Sequence, residues 1–224
     1  MIFFRITYNF EDKIELSSDE LQHLKSLRLN EIEKKIEFRD GLGNSFFYLI
    51  PPKSKFGSLT HKEYLGFELS NIQIAQAIPK ANRFEFLLQK NTELGIDIFH
   101  FINFEQSDRK EYNEERANRI ILEASSQSKR ITIPKLYFYK SLKSFIEKNP
   151  NSYVLDPNSK FSIKNITNWK LIPIIGPEGG FRDSELSLLK ENNIQSFHLG
   201  KNILKIETAS IYMTSILKYI NLNQ

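Results

Sequence analysis

Residues 174–214 read I-I-G-P-E-G-G-F-R-D-S-E-L-S-L-L-K-E-N-N-I-Q-S-F-H-L-G-K-N-I-L-K-I-E-T-A-S-I-Y-M-T. Two apolar segments each run into a glycine-containing loop, and each loop opens toward a helix. Glycine lets the backbone approach a ligand closely and permits positive φ. Two such loops close in sequence can build one small-molecule pocket at the ends of neighbouring strands. The alternative is two ordinary tight turns in an α/β domain, since isolated glycine turns are common.

Upstream of that stretch, strands alternate with helices. Ile72–Ile78 alternates apolar and polar residues, and Pro79-Lys80 marks a turn. Phe84, Leu87, Leu88 and Leu94 share one helical face, with Gly95 where a helix C-cap belongs. Ile96–Phe104 reads as the next strand. Glu114–Ser128 reads as an amphipathic helix with Ala117, Ile120, Ile121 and Ala124 inward. Tyr153–Leu155 and Leu171–Ile175 are short apolar strands. This order predicts a mainly parallel sheet covered on both faces. Pro173 cannot donate to a ladder, so it belongs at a strand edge or where its nitrogen faces no partner.

Before residue 70 the texture differs. Ile2–Tyr8 is β-branched and aromatic, as a strand is. Ser17-x-x-Glu20 is a capping-box pattern, and Leu21, Leu24 and Leu27 follow at helical spacing up to Arg28. Ile36–Arg39 and Ser45–Ile50 flank Asp40–Asn44 as a β-hairpin, and Pro51-Pro52 stops its second strand. Phe56–Ser70 is expected to add further short strands. Short strands around one small helix predict a compact β-barrel-like module. The pattern alone does not separate an OB-like barrel from other small barrels. The expected domains are 1–70 and 71–224.

The 224 residues carry 31 Lys and Arg against 27 Asp and Glu, a formal net charge of +4. That excess permits nucleic-acid binding without demanding it. There is no cysteine. Disulfides, thiolate metal sites and a cysteine nucleophile are therefore excluded, and with them pyrimidine C5 methylation through a cysteine adduct. Met1–Phe10 holds too short an apolar run for a signal peptide. No run approaches the ~20 apolar residues that a membrane helix requires. A soluble cytoplasmic protein without membrane contact is expected. P-loop and dinucleotide glycine motifs are absent. The four histidines, His23, His61, His100 and His198, are scattered, and no metal site is expected from them.

The remaining motifs carry a family resemblance. Gly176–Glu185, G-P-E-G-G-F-x-x-x-E, and Leu199–Ala209, L-G-x-x-I-L-x-x-E-T-A, resemble the RsmE type of 16S rRNA uridine N3-methyltransferase, of the SPOUT superfamily. Lys90–Gly95 resembles its K-x-T-E-L-G motif. Glu123-Ala124 with Gln127, Ser128 and Arg130 resembles its E-A-x-x-Q-S-x-R. His23–Arg28 and Asp40-Gly41-x-Gly43 resemble its N-terminal motifs. The similarity covers nearly the whole chain. It implies an α/β fold with a trefoil-knotted, mainly parallel C-terminal SPOUT domain and an N-terminal PUA-like RNA-binding barrel. It implies S-adenosylmethionine as cofactor and small-subunit rRNA, in the assembled subunit, as substrate. It also implies a homodimer through the C-terminal helix, where Ala209, Tyr212, Met213, Ile216, Leu217 and Ile220 form a broad apolar stripe beside Tyr219. A SPOUT enzyme for another RNA nitrogen or a ribose oxygen, and a non-catalytic RNA-binding protein of this fold, are the alternatives.

Under this resemblance three loops hold the cofactor, the first of them at Leu155-Asp156-Pro157. The expected binding residues are Leu155, Ile175, Gly176, Gly180, Leu199, Gly200, Ile203, Leu204 and Thr208. Leu199, Gly200, Ile203 and Leu204 offer apolar contact and backbone amides, which suits an adenine. A larger residue at Gly200 is expected to crowd the backbone approach. Uridine N3 must lose a proton to be methylated, so a base and a nearby cation are the groups to seek. Glu178, Arg28, Arg130 and Lys205 are the candidates. Each has an ordinary structural or phosphate-binding alternative. Five positions depart from the family pattern. Gln106 and Asn202 stand where it has arginine, Lys205 replaces another arginine, and Ile206 replaces a threonine. Arg182 stands where a capping Ser or Thr is usual, and Asp183 is expected to cap that helix instead.

Overall fold

The computed structural model describes residues 1–6, 8–67, 69–166 and 168–222; Thr7, Glu68, Thr167, Asn223 and Gln224 lie outside the described residues. Its chain divides into two units, Met1–Glu68 with Ser125–Ile133 and Leu69–Ala124 with Pro134–Gln224.

The first unit contains β1 (Ile2–Phe4), β2 (Lys13–Glu15), α1 (Ser18–Ser26), β3 (Lys34–Arg39), β4 (Asn44–Ile50) and β5 (Phe56–Tyr64). The strands form one curled mixed sheet in the order β1-β3-β4-β5-β2. Ile14, Leu24, Ile36, Phe38 and Tyr48 fill its inner face. The capping box at Ser17 forms, with Glu20 accepting from the Ser17 amide at 2.8 Å. Arg28, with φ of 55°, lies just past the Leu27 C-cap. In the hairpin turn, the Asp40 carboxylate accepts from the amides of Leu42 and Asn44, at 2.7 and 3.1 Å. Phe56–Ser70 differs from expectation: among its described residues it holds one nine-residue strand, not several short ones. A register shift at Phe47/Tyr48 lets that long strand follow the curl. Strand β2 escaped the sequence reading because Lys13-Ile14-Glu15 has one inward residue and no period to detect.

Arg39 is the buried cation of this unit. Its Nε donates to Glu37 at 2.6 Å, and its Nη1 donates to the carbonyls of Lys129 and Arg130, both at 2.7 Å. Three acceptors offset the cost of burying the guanidinium. They also tie Ser125–Ile133, distant in sequence, to the small sheet.

The second unit contains β6 (Gln73–Gln76), α2 (Ala81–Leu94), β7 (Ile98–Ile102), α3 (Glu114–Gln127, ending in the first unit), β8 (Lys135–Tyr139), α4 (Leu142–Ile146), β9 (Ser152–Leu155), a 3-10 turn (Ile163–Asn165), β10 (Ile172–Ile175), α5 (Asp183–Glu191), β11 (Ser196–Phe197) and α6 (Ile206–Leu222). All six strands run parallel, in the order β11-β9-β10-β6-β7-β8. Ile74, Phe99, Phe101, Tyr153 and Ile174 are fully buried. Near-continuous apolar strands of this kind belong to a sheet covered on both faces. Pro173 sits in a central strand. The Ile172 amide donates to Asn151 beside β9, so alternation turns the Pro173 nitrogen toward β6. Registered pairing there begins one residue later, at Ile174 with Ala75, which is how a central strand tolerates the missing donor.

After β11 at the sheet's edge, α6 returns to the middle and packs on α2, β6 and β10. A buried polar cluster fixes its register. Asn91 on α2 donates to Ser210 at 2.8 Å and accepts from Thr214 at 2.6 Å. Sliding either helix by one turn would strand three buried polar groups, a cost of about 1–3 kcal/mol each. The motif holding Asn91 and the helix that continues from the Leu199–Ala209 motif thus meet as framework. Ala209, Met213 and Leu217 face the core. Tyr212 and Tyr219 of the same helix stay 46% and 70% exposed.

Candidate functional site

The carboxyl ends of β9 and β10, adjacent and parallel, open into a cavity of about 560 Å³. That is the size range of small-molecule sites, at the place where open parallel sheets bind ligands. Three loops wall it. The first follows β9 and gives Leu155, Asp156, Pro157 and Asn158. The second follows β10 and gives Gly176, Pro177, Glu178, Gly180 and Phe181. The third follows β11 and gives Leu199, Gly200 and Asn202 through Ile206. Ile175, Leu186 of α5 and Ala209 of α6 complete the lining.

The two glycine loops are built differently. A Cβ on Gly176 would lie 2.7 Å from the Phe181 ring, so glycine is required for the ring to tuck beneath the loop. Phe181 in turn meets the edge of Phe104 at 5.5 Å between centroids. Gly200 has φ of +148°, and a Cβ there would meet nothing within 4 Å. No protein atom would crowd a side chain at Gly200, so the crowding expected there concerns the cofactor's approach alone. The protein leaves room; the backbone angle is what excludes other residues. The start of α5 also differs from expectation. Arg182, not Asp183, is the N-cap residue, and the helix begins at Asp183. Arginine has no oxygen to accept with, so the buried Glu185 takes over, accepting from the amides of Arg182 and Glu105, both at 3.0 Å.

The structure gathers Leu155, Ile175, Gly176, Gly180, Leu199, Gly200, Ile203 and Leu204 around one cavity, together with the charged Glu178 and Lys205. Thr208 stands exposed on the first turn of α6 and is not part of the lining. Arg28 and Arg130 belong to the first unit. Arg28 is exposed. Arg130 donates through Nε to the Thr132 carbonyl at 3.1 Å. Sequence reasoning missed Phe181 and Leu186 as lining residues. Leu186 carried a signal, being an apolar residue beside the buried Glu185 and Leu189 stripe, and it is 45% exposed. Among the described residues no three His, Cys, Asp or Glu side chains form a metal set, and no helix is long and apolar enough to cross a membrane.

Comparison with known proteins agrees with this geometry. Residues 67–218 match the RNA methyltransferase domain family. A ribosomal RNA small subunit methyltransferase E of Mesomycoplasma hyopneumoniae is 32% identical over 204 residues, 86% of this chain and 88% of that protein. Its counterpart from Rickettsia conorii is 30% identical over 211 residues, 89% of this chain and 86% of that protein. In the crystal structure of the Neisseria gonorrhoeae ribosomal RNA small subunit methyltransferase E, bound to S-adenosyl methionine, the fold superposes with a TM-score of 0.82 at 24% identity, covering 98% of this chain and 97% of that one. With an RNA methyltransferase domain over two thirds of its length and relatives matched nearly end to end, this chain belongs to the ribosomal RNA small subunit methyltransferase E family.

Proposed function

We propose that the protein binds S-adenosylmethionine in the three-loop cavity and transfers its methyl group to N3 of a uridine in small-subunit rRNA. One observation carries this reading: the two glycine motifs, with Gly180 and Gly200 20 residues and a helix apart, converge on one cavity at the carboxyl ends of parallel strands. The apolar residues of the third loop suit an adenine, and its exposed amides suit the adenine's ring edge. Bound S-adenosylmethionine supplies an already activated methyl on a sulfonium. The chain's own task is to orient it and to favour the N3 anion of the target base. Glu178 and Lys205, both on the cavity wall, are the pair we assign to that proton and that charge. Arg28 and Arg130, in the first unit, are assigned to the RNA.

In this reading residues 1–70 bind RNA, residues 71–224 catalyse, and the enzyme works in the cytoplasm on the assembled subunit. Nucleoside analysis of rRNA from a deletion strain tests it. Loss of one N3-methyluridine, restored by the wild-type gene, is the expected result. Loss of a different methylated nucleoside would assign the chain to another reaction, and no loss would make it a binding protein. The exposed Tyr212 and Tyr219 on α6 favour a homodimer through that helix. Tyr212→Asp should shift sedimentation toward monomer and cost activity more than cofactor affinity. A wild-type protein that is monomeric at micromolar concentration and fully active would remove the dimer.

A further inference from the structure

We propose that Gln106 and Arg182 form a positioning pair that holds the Gly179–Gly180 turn of the cofactor cavity, Gln106 relaying the Arg182 guanidinium to the turn. The inference rests on the cofactor reading above. The loop after β7 and the start of α5 are joined by several bonds. Glu185 accepts from the Glu105 amide at 3.0 Å, and Ser184 Oγ donates to the Glu105 carboxylate at 2.7 Å. With its amide nitrogen turned to the Gly179 carbonyl, the Gln106 side-chain oxygen accepts from Arg182 Nε at 2.8 Å and Nη1 at 3.3 Å. In that orientation both ends of the carboxamide are matched; in the opposite one, acceptors face acceptors and donors face donors. The contact with Gly179 is close, since a Cβ there would lie 2.6 Å from the Gln106 amide. The residues on either side of Gly179, Glu178 and Gly180, line the cavity.

Arg182 is a poor residue for its backbone position. An N-cap side chain normally accepts a helix amide, a bond worth about 1 kcal/mol, and arginine cannot. Its side chain is spent on Gln106 instead. A neutral carboxamide can donate to one partner and accept from another, so Gln106 relays the guanidinium to the turn. An arginine at 106 could donate to the Gly179 carbonyl directly, and a hydroxyl at 182 could cap the helix. The two arrangements hold one turn with the parts exchanged. They are alternatives: arginine at both positions puts two like charges together, and arginine at neither leaves the turn unheld.

Calorimetry with S-adenosylmethionine on the full-length protein tests this, using Arg182→Ser, Gln106→Arg and the double variant, with thermal unfolding measured alongside. Each single substitution should weaken cofactor affinity about five- to twentyfold, and the double should return to within about threefold of wild type, as coupled neighbours do. Serine is a good N-cap, so Arg182→Ser should leave Tm unchanged or raised while affinity falls. A residue that merely stabilised the fold could not give that split. Additive losses in the double variant, or singles that bind like wild type, would overturn the pair. Failure of the wild type itself to bind would overturn the cofactor reading instead.

Discussion

The loop after β10 and the loop after β11 face the same cavity, yet one is braced and the other is open. In the first, Phe181 fills the space under Gly176, Gly180 donates to the Pro177 carbonyl at 3.0 Å, and Glu185 holds the backbone at Arg182. In the second, a Cβ on Gly200 would meet no atom within 4 Å, and Ile203 is 84% exposed although it lines the cavity. Under the cofactor reading proposed above, an apolar side chain left that bare is the one the ligand would cover. The contrast teaches a division of labour. Under that reading the braced loop would be shaped before binding, and the open loop would gain its contacts on binding. Preorganisation of one wall limits the ordering cost to the other.

The largest effect that would test this contrast is at Gly200. Gly200→Val forces a β-branched residue into a backbone region that costs about 1–3 kcal/mol. Because the loop is exposed, it should relax to another conformation instead of unfolding the domain. Cofactor affinity should fall at least about a hundredfold by calorimetry, with Tm close to wild type. A large drop in Tm would mean that this loop is framework like the other. Gly176→Ala should do the reverse. Its methyl must displace the Phe181 ring, and overpacking of this kind costs about 1–3 kcal/mol. Thermal unfolding should register most of that, and affinity should drop about tenfold as a consequence. Unchanged stability would show that the ring moves freely and that the first loop is not braced.

The same contrast explains what could be read from the sequence. Most strands and helices of the second unit were legible because their apolar runs and the C-cap at Gly95 obey local rules; β8, whose side chains are half-buried or exposed, and the one-turn α4 went unread. The two glycine motifs were legible because glycine is needed wherever backbone must come close or turn. The brace was not. Gln106 and Arg182 are 76 residues apart in sequence by their numbering, and neither type announces a bond to the other. Arg182 in fact looked like a lost cap, which drew the expected N-cap one residue on, to Asp183. The Arg39 clamp on residues 129 and 130 is the same case: a long-range polar contact has no period. Local pattern thus located the walls of the cavity, and only the tertiary structure showed which wall is fixed.

The smallest effect concerns the open wall alone. Ile203 contributes little to the folded chain, since 84% of it faces solvent. If the cofactor's adenine covers it, binding buries apolar surface worth roughly 25 cal/mol per Å². Ile203→Ser should therefore leave Tm unchanged and weaken S-adenosylmethionine by about three- to tenfold, a loss of about 1 kcal/mol. Hydrogen exchange supplies the complementary reading. Cofactor should slow the amides of residues 199–205 markedly and those of residues 176–181 only slightly, because the latter are already held. Equal protection of both loops would erase the distinction, and an Ile203→Ser protein that binds like wild type would show that the third loop reaches the ligand through its backbone only.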